Sequence, residues 1–337
     1  RAPVLVTGAS GGLGSAIVDR LRSHHRPVRI LVRRPPNAPT DGVEVVVGNL
    51  GDPDAVDRAV RGVDMVIHAG AAMKGGWLDH LGATVVGTQN VIDACLRHRV
   101  TQLVHISSMS VVHFAGLGRG GVIDEDTPLE PRAQARGAYT RAKLEAEQLV
   151  RQACAQHGLP AVILRPGQIF GRRLPLLTPA VGRPRGSKWL ILGNGHMRLP
   201  LVHVDDVVEA VVLAASSELR DGQIIQLVAP DSPTQHEILQ LAFGDDVRFR
   251  HIPRWLLLGV GALSVVLLGL LRRKSPAPPY RFRSALAQCN FRSRNADLLG
   301  WSPRVDVRQE IRRMFGQPEG DTSNLSAPDG TPVTVAQ

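Results

Sequence analysis

Between residues 4 and 228 the chain alternates two kinds of apolar pattern. Residues 4–7, 28–32, 43–47, 65–68, 103–106, 161–164 and 224–228 are short β-branched runs with almost no polar interruption. A strand covered on both faces reads this way, whereas a half-exposed strand alternates. Between the first two runs Leu13, Ile17, Val18 and Leu21 recur at helical spacing, and helical periods also fit 55–60, 85–96, 143–155 and 207–215. Regular alternation of strand and helix predicts an α/β fold with a doubly wound parallel sheet. After Gly171 the pattern breaks. Residues 172–195 are rich in Pro, Gly and Arg and predict a loop-rich insertion, and from 229 onward strands no longer alternate regularly. Residues 316–337 are polar and aperiodic, which predicts a disordered tail.

The turn after the first strand reads Thr7-Gly8-Ala9-Ser10-Gly11-Gly12-Leu13-Gly14 and opens the first helical pattern. Gly8 permits a tight turn, Gly11 lets backbone approach a pyrophosphate, and Gly14 lets helix and strand pack closely. The free N–H groups of the helix start would then face the phosphates. Gly8, Ser10, Gly11, Gly12, Leu13 and Gly14 are therefore candidate dinucleotide contacts. The expected organisation is a Rossmann-type dinucleotide-binding domain over 1–171, to which 201–228 return. A substrate-binding region would occupy 172–200 and 229–315. The second strand ends in Leu31-Val32-Arg33-Arg34, where an NAD site would carry an acid for the ribose 2′-OH. Arg33 and Arg34 offer guanidinium groups to a 2′-phosphate, which favours NADP(H) over NAD(H). The plain alternative is two solvent-facing arginines before Pro35-Pro36.

Tyr139 and Lys143 stand four apart, so a helix puts them on one face. A phenol ionises near pH ~10, and an adjacent ammonium lowers that value toward useful acid/base range. Ser107-Ser108 ends a strand, at the carboxyl edge where such sheets bind ligands. A Tyr-x-x-x-Lys alone occurs by chance on many helices. Here it follows the glycine loop and the serine strand end in order.

From Leu5 to about Met314 the chain closely resembles the extended branch of the short-chain dehydrogenase/reductase family, nearest its 3β-hydroxysteroid dehydrogenase/isomerase-like members. The resemblance rests on the glycine loop, Gly48-Asn49-Leu50 with Asp52-Pro53, His68-Ala69-Gly70-Ala71-Ala72, Val86-Gly87-Thr88-Gln89-Asn90 and Ser107-Ser108. It continues in Tyr139 to Lys143, Arg165-Pro166-Gly167-Gln168-Ile169-Phe170-Gly171, Val202-His203-Val204-Asp205-Asp206-Val207 and Leu299-Gly300-Trp301-Ser302-Pro303. It implies that Tyr139 is the general acid/base and that Ser108 polarises the reacting oxygen. Lys143 would hold the nicotinamide ribose and lower the Tyr139 pKa. Asn49 and Leu50 would flank the adenine, although Asp is usual at Asn49. Ala69, Gly70 and Ala71 would line the cofactor, and Pro166, Gln168 and Ile169 would contact its nicotinamide end. His203, Asp205 and Asp206 read as structural, with either Asp placed to cap the next helix. Thr84 stands where the family often has Asn. Ser108-Met109-Ser110 replaces the Thr-Asp-Glu of sugar-nucleotide 4,6-dehydratases, which argues against that chemistry.

Residues 255–271 run without a charge between Arg254 and Arg272-Arg273-Lys274. A helix this apolar on all sides has no face for water. It predicts contact with a membrane surface through 255–274, the basic cluster meeting anionic headgroups. The alternative is a helix buried in the substrate region or a dimer interface. Lys and Arg outnumber Asp and Glu by 40 to 30, yet aromatics are 4% and no aromatic-interleaved basic run marks a nucleic-acid site. The three cysteines, Cys95, Cys154 and Cys289, lack disulfide or metal spacing. With a strand opening the chain rather than a secretory signal, the expectation is a membrane-associated enzyme on the cytoplasmic side, without a metal. Its partner is a small-molecule substrate, and the resemblance implies a homodimer. The expected reaction is hydride transfer between NADP(H) and a lipophilic alcohol or ketone. An NAD-dependent sugar-nucleotide epimerase, with Arg183, Arg185 and Arg281 around a diphosphate, and a non-catalytic cofactor sensor are the rivals.

Overall fold

The computed structural model describes residues 2–36, 42–272, 275 and 278–317. Its first half runs β1 (Val4–Thr7), α1 (Gly12–Ser23), β2 (Val28–Val32), β3 (Val43–Val47), α2 (Pro53–Val60), β4 (Met65–His68), α3 (Trp77–His80), α4 (Gly87–Arg97) and β5 (Gln102–Ile106). A π-helical stretch, Leu81–Val86, joins α3 to α4. Then come β6 (Val122–Ile123), α5 (Ala133–Arg136), α6 (Ala138–His157) and β7 (Ala161–Pro166). The second half comprises β8 (Gln168–Phe170), β9 (Arg183–Arg185), β10 (Lys188–Leu192), β11 (Leu201–His203), α7 (Val204–Ser216), β12 (Asp221–Leu227) and α8 (Gln235–Phe243). It closes with β13 (Arg248–Ile252), α9 (Arg254–Leu270), α10 (Pro279–Ala285), β14 (Asn290–Phe291) and α11 (Val307–Met314).

Seven parallel strands form the central sheet in the order β12-β7-β5-β4-β1-β2-β3. Successive side chains of each strand serve opposite faces. Val4 and Val6 enter the layer packed by Ile17 and Val18 of α1 and Val207 and Val211 of α7, while Leu5 enters the layer of Val56, Val91 and Val150 from α2, α4 and α6. Both faces are thus covered, which is why these strands read as unbroken apolar runs. Helix ends follow local chemistry. Asp52 accepts from the N–H groups of Asp54 and Ala55 to start α2, with Pro53 in the first turn. Gly158, at φ +63°, ends α6.

A separate apolar cluster starts at the end of β8, where Phe170, Val181 and Ile191 pack against Ile238 and Leu239 of α8 and Ile311 of α11. The stretch predicted as loop-rich, 172–195, contains β9 and β10, which pair with each other and, through β10, with β13. β9 is Arg-Pro-Arg and wholly exposed, so it carries no apolar signature. The cap of α7 also differs from expectation: His203 is the N-cap, its Nδ1 accepting from Asp205 N at 3.3 Å. Asp206 instead accepts from the N–H groups of Arg304 (2.8 Å) and Val305 (3.3 Å), tying the C-terminal segment to α7. The expected disorder beyond Gln317 lies outside the described residues, as do Arg273 and Lys274.

Candidate active site

The strand order places β1 between β2 and β4, so successive connections leave it in opposite directions and a crevice opens at its carboxyl end. A hydrogen-bonded set fixes the floor of that crevice. Thr7 Oγ1 lies 2.7 Å from His68 Nδ1 and accepts from Gly70 N at 3.1 Å, and His68 Nε2 lies 3.0 Å from Thr88 Oγ1. Burial drives the His68 pKa down to about 3, so this imidazole is neutral and structural.

The glycine loop is shaped for a ligand that needs bare backbone. Gly8 turns at φ +72°, and a Cβ there would sit 2.8 Å from the Ala69 carbonyl; one on Gly14 would sit 2.1 Å from Gly8 O. Gly11 caps α1 without a side-chain bond, and no acid occupies the first turn. The amides that a capping side chain would satisfy are therefore left for an anion. Ser10 and Gly11 are exposed, whereas Gly12 and Leu13 are half-buried. Arg33 and Arg34 project into solvent directly after β2, and no carboxylate stands between Val28 and Pro36. The residues thus fit a dinucleotide whose pyrophosphate meets the α1 amides.

Three sequence-predicted groups converge at the next strand ends. β5 stops at Ile106, and Ser108 follows as the cap of a short turn, its Oγ accepting from Ser110 N at 3.1 Å. Tyr139 and Lys143 rise from the first turns of α6, which brings Tyr139 close to the Ser108 side chain. Lys143 is buried and its Nζ donates to Ile106 O at 2.7 Å. Desolvation pulls the Lys143 pKa down to about 8 against the attraction of Glu147. Burial pushes the Tyr139 pKa up, and the nearby Ser108 hydroxyl only partly opposes this. The expectation that Lys143 lowers the Tyr139 pKa is not what this geometry shows. The ammonium is spent on a backbone carbonyl, and Tyr139 is held as a neutral phenol.

A model of the NAD dependent epimerase/dehydratase family matches residues 4–227. The chain belongs to that family. It is an NAD(P)-dependent enzyme of the extended short-chain dehydrogenase/reductase type. It is 32% identical over 263 residues to 2-alkyl-3-oxoalkanoate reductase of Stenotrophomonas maltophilia (strain K279a), covering 77% of this chain and 76% of that protein. It is 29% identical to 3beta-hydroxysteroid-dehydrogenase/decarboxylase isoform 1 of Arabidopsis thaliana, covering 80% and 66%. Its fold is that of the Thermus thermophilus UDP-glucose 4-epimerase complex with NAD, at a TM-score of 0.69 and 22% identity over 92% of this chain and 96% of that one.

Other predicted contacts of this family member fall on or near the same crevice. Leu50 packs where a Cβ on Gly70 would lie 2.5 Å from its Cδ1, and Asn90 Nδ2 donates to Leu50 O at 2.8 Å. Asn49 is exposed and its Oδ1 accepts from Gly51 N at 3.2 Å. Ala69 and Ala71 line the β4 exit, and Pro166 ends β7. The Gln168 side chain has partners within the protein. Its amide nitrogen donates to Leu176 O at 2.8 Å and its carbonyl accepts from Thr178 Oγ1 at 3.1 Å, so this side chain braces the 176–178 segment. Thr84 is buried, its Oγ1 accepting from Ala72 N at 2.9 Å.

Some residues around this site escaped the sequence reading. Glu147 is fully buried and accepts from Ser107 Oγ (2.6 Å) and twice from Arg165 (2.9 and 2.5 Å). This cluster locks α6 to the ends of β5 and β7, one turn below Lys143. The signal was present: Glu147 continues the Tyr139–Lys143 spacing by four, onto the apolar stripe of α6. His80 is buried edge-on to Tyr139, with ring centroids 6.2 Å apart.

Proposed function

We propose that this enzyme reduces a ketone to a secondary alcohol on a lipophilic substrate, using NADPH. The observation that carries the reading is the convergence of Ser108, just past β5, with Tyr139 and a buried Lys143 from the start of α6, Lys143 Nζ reaching Ile106 O. A bound nicotinamide supplies the hydride. Ser108 and Tyr139 then hold the carbonyl oxygen, and Tyr139 passes its proton to that oxygen as negative charge develops. Tyr139 is protonated at neutral pH, as a proton donor to the developing alkoxide must be. Lys143 positions the Ser108 strand end through Ile106 O and places a cation at the base of the site. Arg33 and Arg34 would clasp a 2′-phosphate, and Gly8, Gly11, Gly12 and Gly14 would admit the pyrophosphate.

The lipophilic class is supported by the relative named for 2-alkyl-3-oxoalkanoate reduction and by a 32% identical ketoreductase of a farnesylated quinoline oxide from Stigmatella aurantiaca. The epimerase alternative is disfavoured by its expected diphosphate arginines. Arg183 and Arg185 lie on an exposed strand, whereas Arg281 sits on α10 against Gly137. Tyr139→Phe tests the mechanism: reduction of a 2-alkyl-3-keto acid should fall roughly 100-fold to 10,000-fold while NADPH affinity stays near wild type. Undiminished turnover in that variant would overturn the assignment.

A further inference from the structure

Helix α9 is turned inside out relative to a helix packed on a soluble protein. Its protein-facing stripe consists of Leu257, Leu258, Gly261, Ser264 and Leu268, and includes the helix's only polar side chain after Trp255. Ser264 Oγ donates to Gly261 O at 2.8 Å and lies 2.7 Å from Ser275 Oγ. The opposite face presents Trp255, Val260, Leu263, Val266, Leu267 and Leu270 to solvent, with Trp255 73% and Leu270 78% exposed. The alternative of a buried core helix is therefore excluded. A continuous apolar face of this kind marks an interaction surface.

The strand that feeds α9 supplies the second half of the surface. In the sheet β9-β10-β13, Lys188 is in register with Arg185 and Arg248, and Leu190 with Arg183 and Arg250. Residues in register share a face, so Arg183, Arg185, Lys188, Arg248 and Arg250 stand together on the outer side. The inner side carries Trp189, Ile191 and Phe249 against the core. All five cations are exposed, and none is in a salt bridge among the described residues. Only Pro253 separates β13 from α9, and Arg254 and Arg272 flank the apolar face.

We propose that the outer face of α9 and the basic face of β9-β10-β13 together dock the enzyme on an anionic lipid bilayer, α9 lying in the plane of the interface. Charge complementarity selects this occupant: a second copy of the chain would bring the same cations together. Helix length selects the posture. At 1.5 Å per residue α9 is about 25 Å long, less than the hydrocarbon core of about 30 Å. Among the described residues no helix is long and apolar enough to cross a membrane. An in-plane helix with apolar residues below and cations beside it matches interfacial binding. α10 packs between α9 and α5, and Arg281 on α10 lies against Gly137, two residues before Tyr139. Docking would therefore bring the approach to Tyr139 close to the bilayer, a consequence that rests on the proposed lipophilic substrate. The docking itself does not.

The test is co-sedimentation of the full chain with phosphatidylcholine vesicles, with and without phosphatidylglycerol, at low and high salt. Wild type should bind the anionic vesicles strongly, the neutral ones weakly, and lose affinity with salt. Arg248→Gln with Arg250→Gln should weaken anionic binding roughly 25-fold, at about fivefold per cation. Leu263→Glu with Val266→Glu, both on the exposed face, should weaken it at least about tenfold while circular dichroism and NADPH binding stay unchanged. Equal binding by either double variant would overturn the proposal. So would a wild-type dimer, seen by light scattering without lipid, that the Leu263/Val266 variant dissociates while vesicles go unbound. Running the same vesicle assay on Tyr139→Phe separates docking from chemistry: docking persists there even if the reductase reading fails.

Discussion

Replacing Lys143 by Met should make the cofactor-free protein more stable at neutral pH and less stable at high pH. Lys143 is buried, and its pKa falls from 10.5 to about 8 on folding. At about 1.4 kcal/mol per pH unit, holding the ammonium in place costs about 3 kcal/mol wherever the side chain is charged in both states. The sign follows from proton uptake. Between about pH 8 and 10.5 the unfolded chain binds the proton and the folded one does not, so wild-type stability rises with pH across that window. The cost is fully present below pH 8 and gone above 10.5. Methionine removes the charge at similar volume but leaves Ile106 O without its donor, a loss of about 1–2 kcal/mol. The net expectation is a gain of about 1–2 kcal/mol at pH 7, or roughly 1–3 °C in melting temperature for a chain of this length. The gain should shrink above pH 8 and reverse sign by about pH 10. Thermal denaturation without cofactor over that pH range reads this directly. A variant less stable than wild type at pH 7, by a margin that does not change with pH, would refute the reasoning. Turnover should be lost in the same variant, making Lys143 a case of stability given up for function.

Two further expectations address the scaffold and the cofactor. Glu147→Ala should destabilise by about 3–5 kcal/mol, because Arg165 is left buried without its carboxylate. Chemical denaturation measures this, and a loss below about 1 kcal/mol would show that the pair is dispensable. Arg33→Ala and Arg34→Ala should each weaken NADPH binding about tenfold and leave NADH nearly unaffected. Equal losses for both cofactors would assign these arginines to solvent.

The parallel sheet was legible because burial on both faces writes the same signature into its inner strands, and the edge strands β3 and β12, though partly exposed, are still rich in Val, Ile and Leu. β1 to β5, β7 and β12 therefore fall on the apolar runs. The glycine loop was legible for a related reason: at Gly8 and Gly14 the backbone of neighbouring residues fills the space of a side chain. β9 was not legible, since an exposed edge strand of Arg-Pro-Arg has no apolar pattern to betray it. Its significance lies in register with β10 and β13, which one sequence does not display. Long-range polar partners were hidden in the same way. Glu147 and Arg165 are eighteen residues apart, and Asp206 meets Arg304 across ninety-eight. The helical spacing of Tyr139 and Lys143 was clear, but the carbonyl that captures the Lys143 ammonium belongs to another element, so the direction of the Tyr139 shift emerged only from the fold.

The central claim is hydride transfer from NADPH to a lipophilic ketone with Tyr139 as proton donor. Its most direct test follows deuterium from C4-labelled NADPH into product, using a 2-alkyl-3-keto acid and mass spectrometry. The account predicts one deuterium on the carbinol carbon for each NADPH oxidised, with both lost in Tyr139→Phe. Label that never leaves the cofactor, together with interconversion of a UDP-sugar on tightly held NAD, would contradict it.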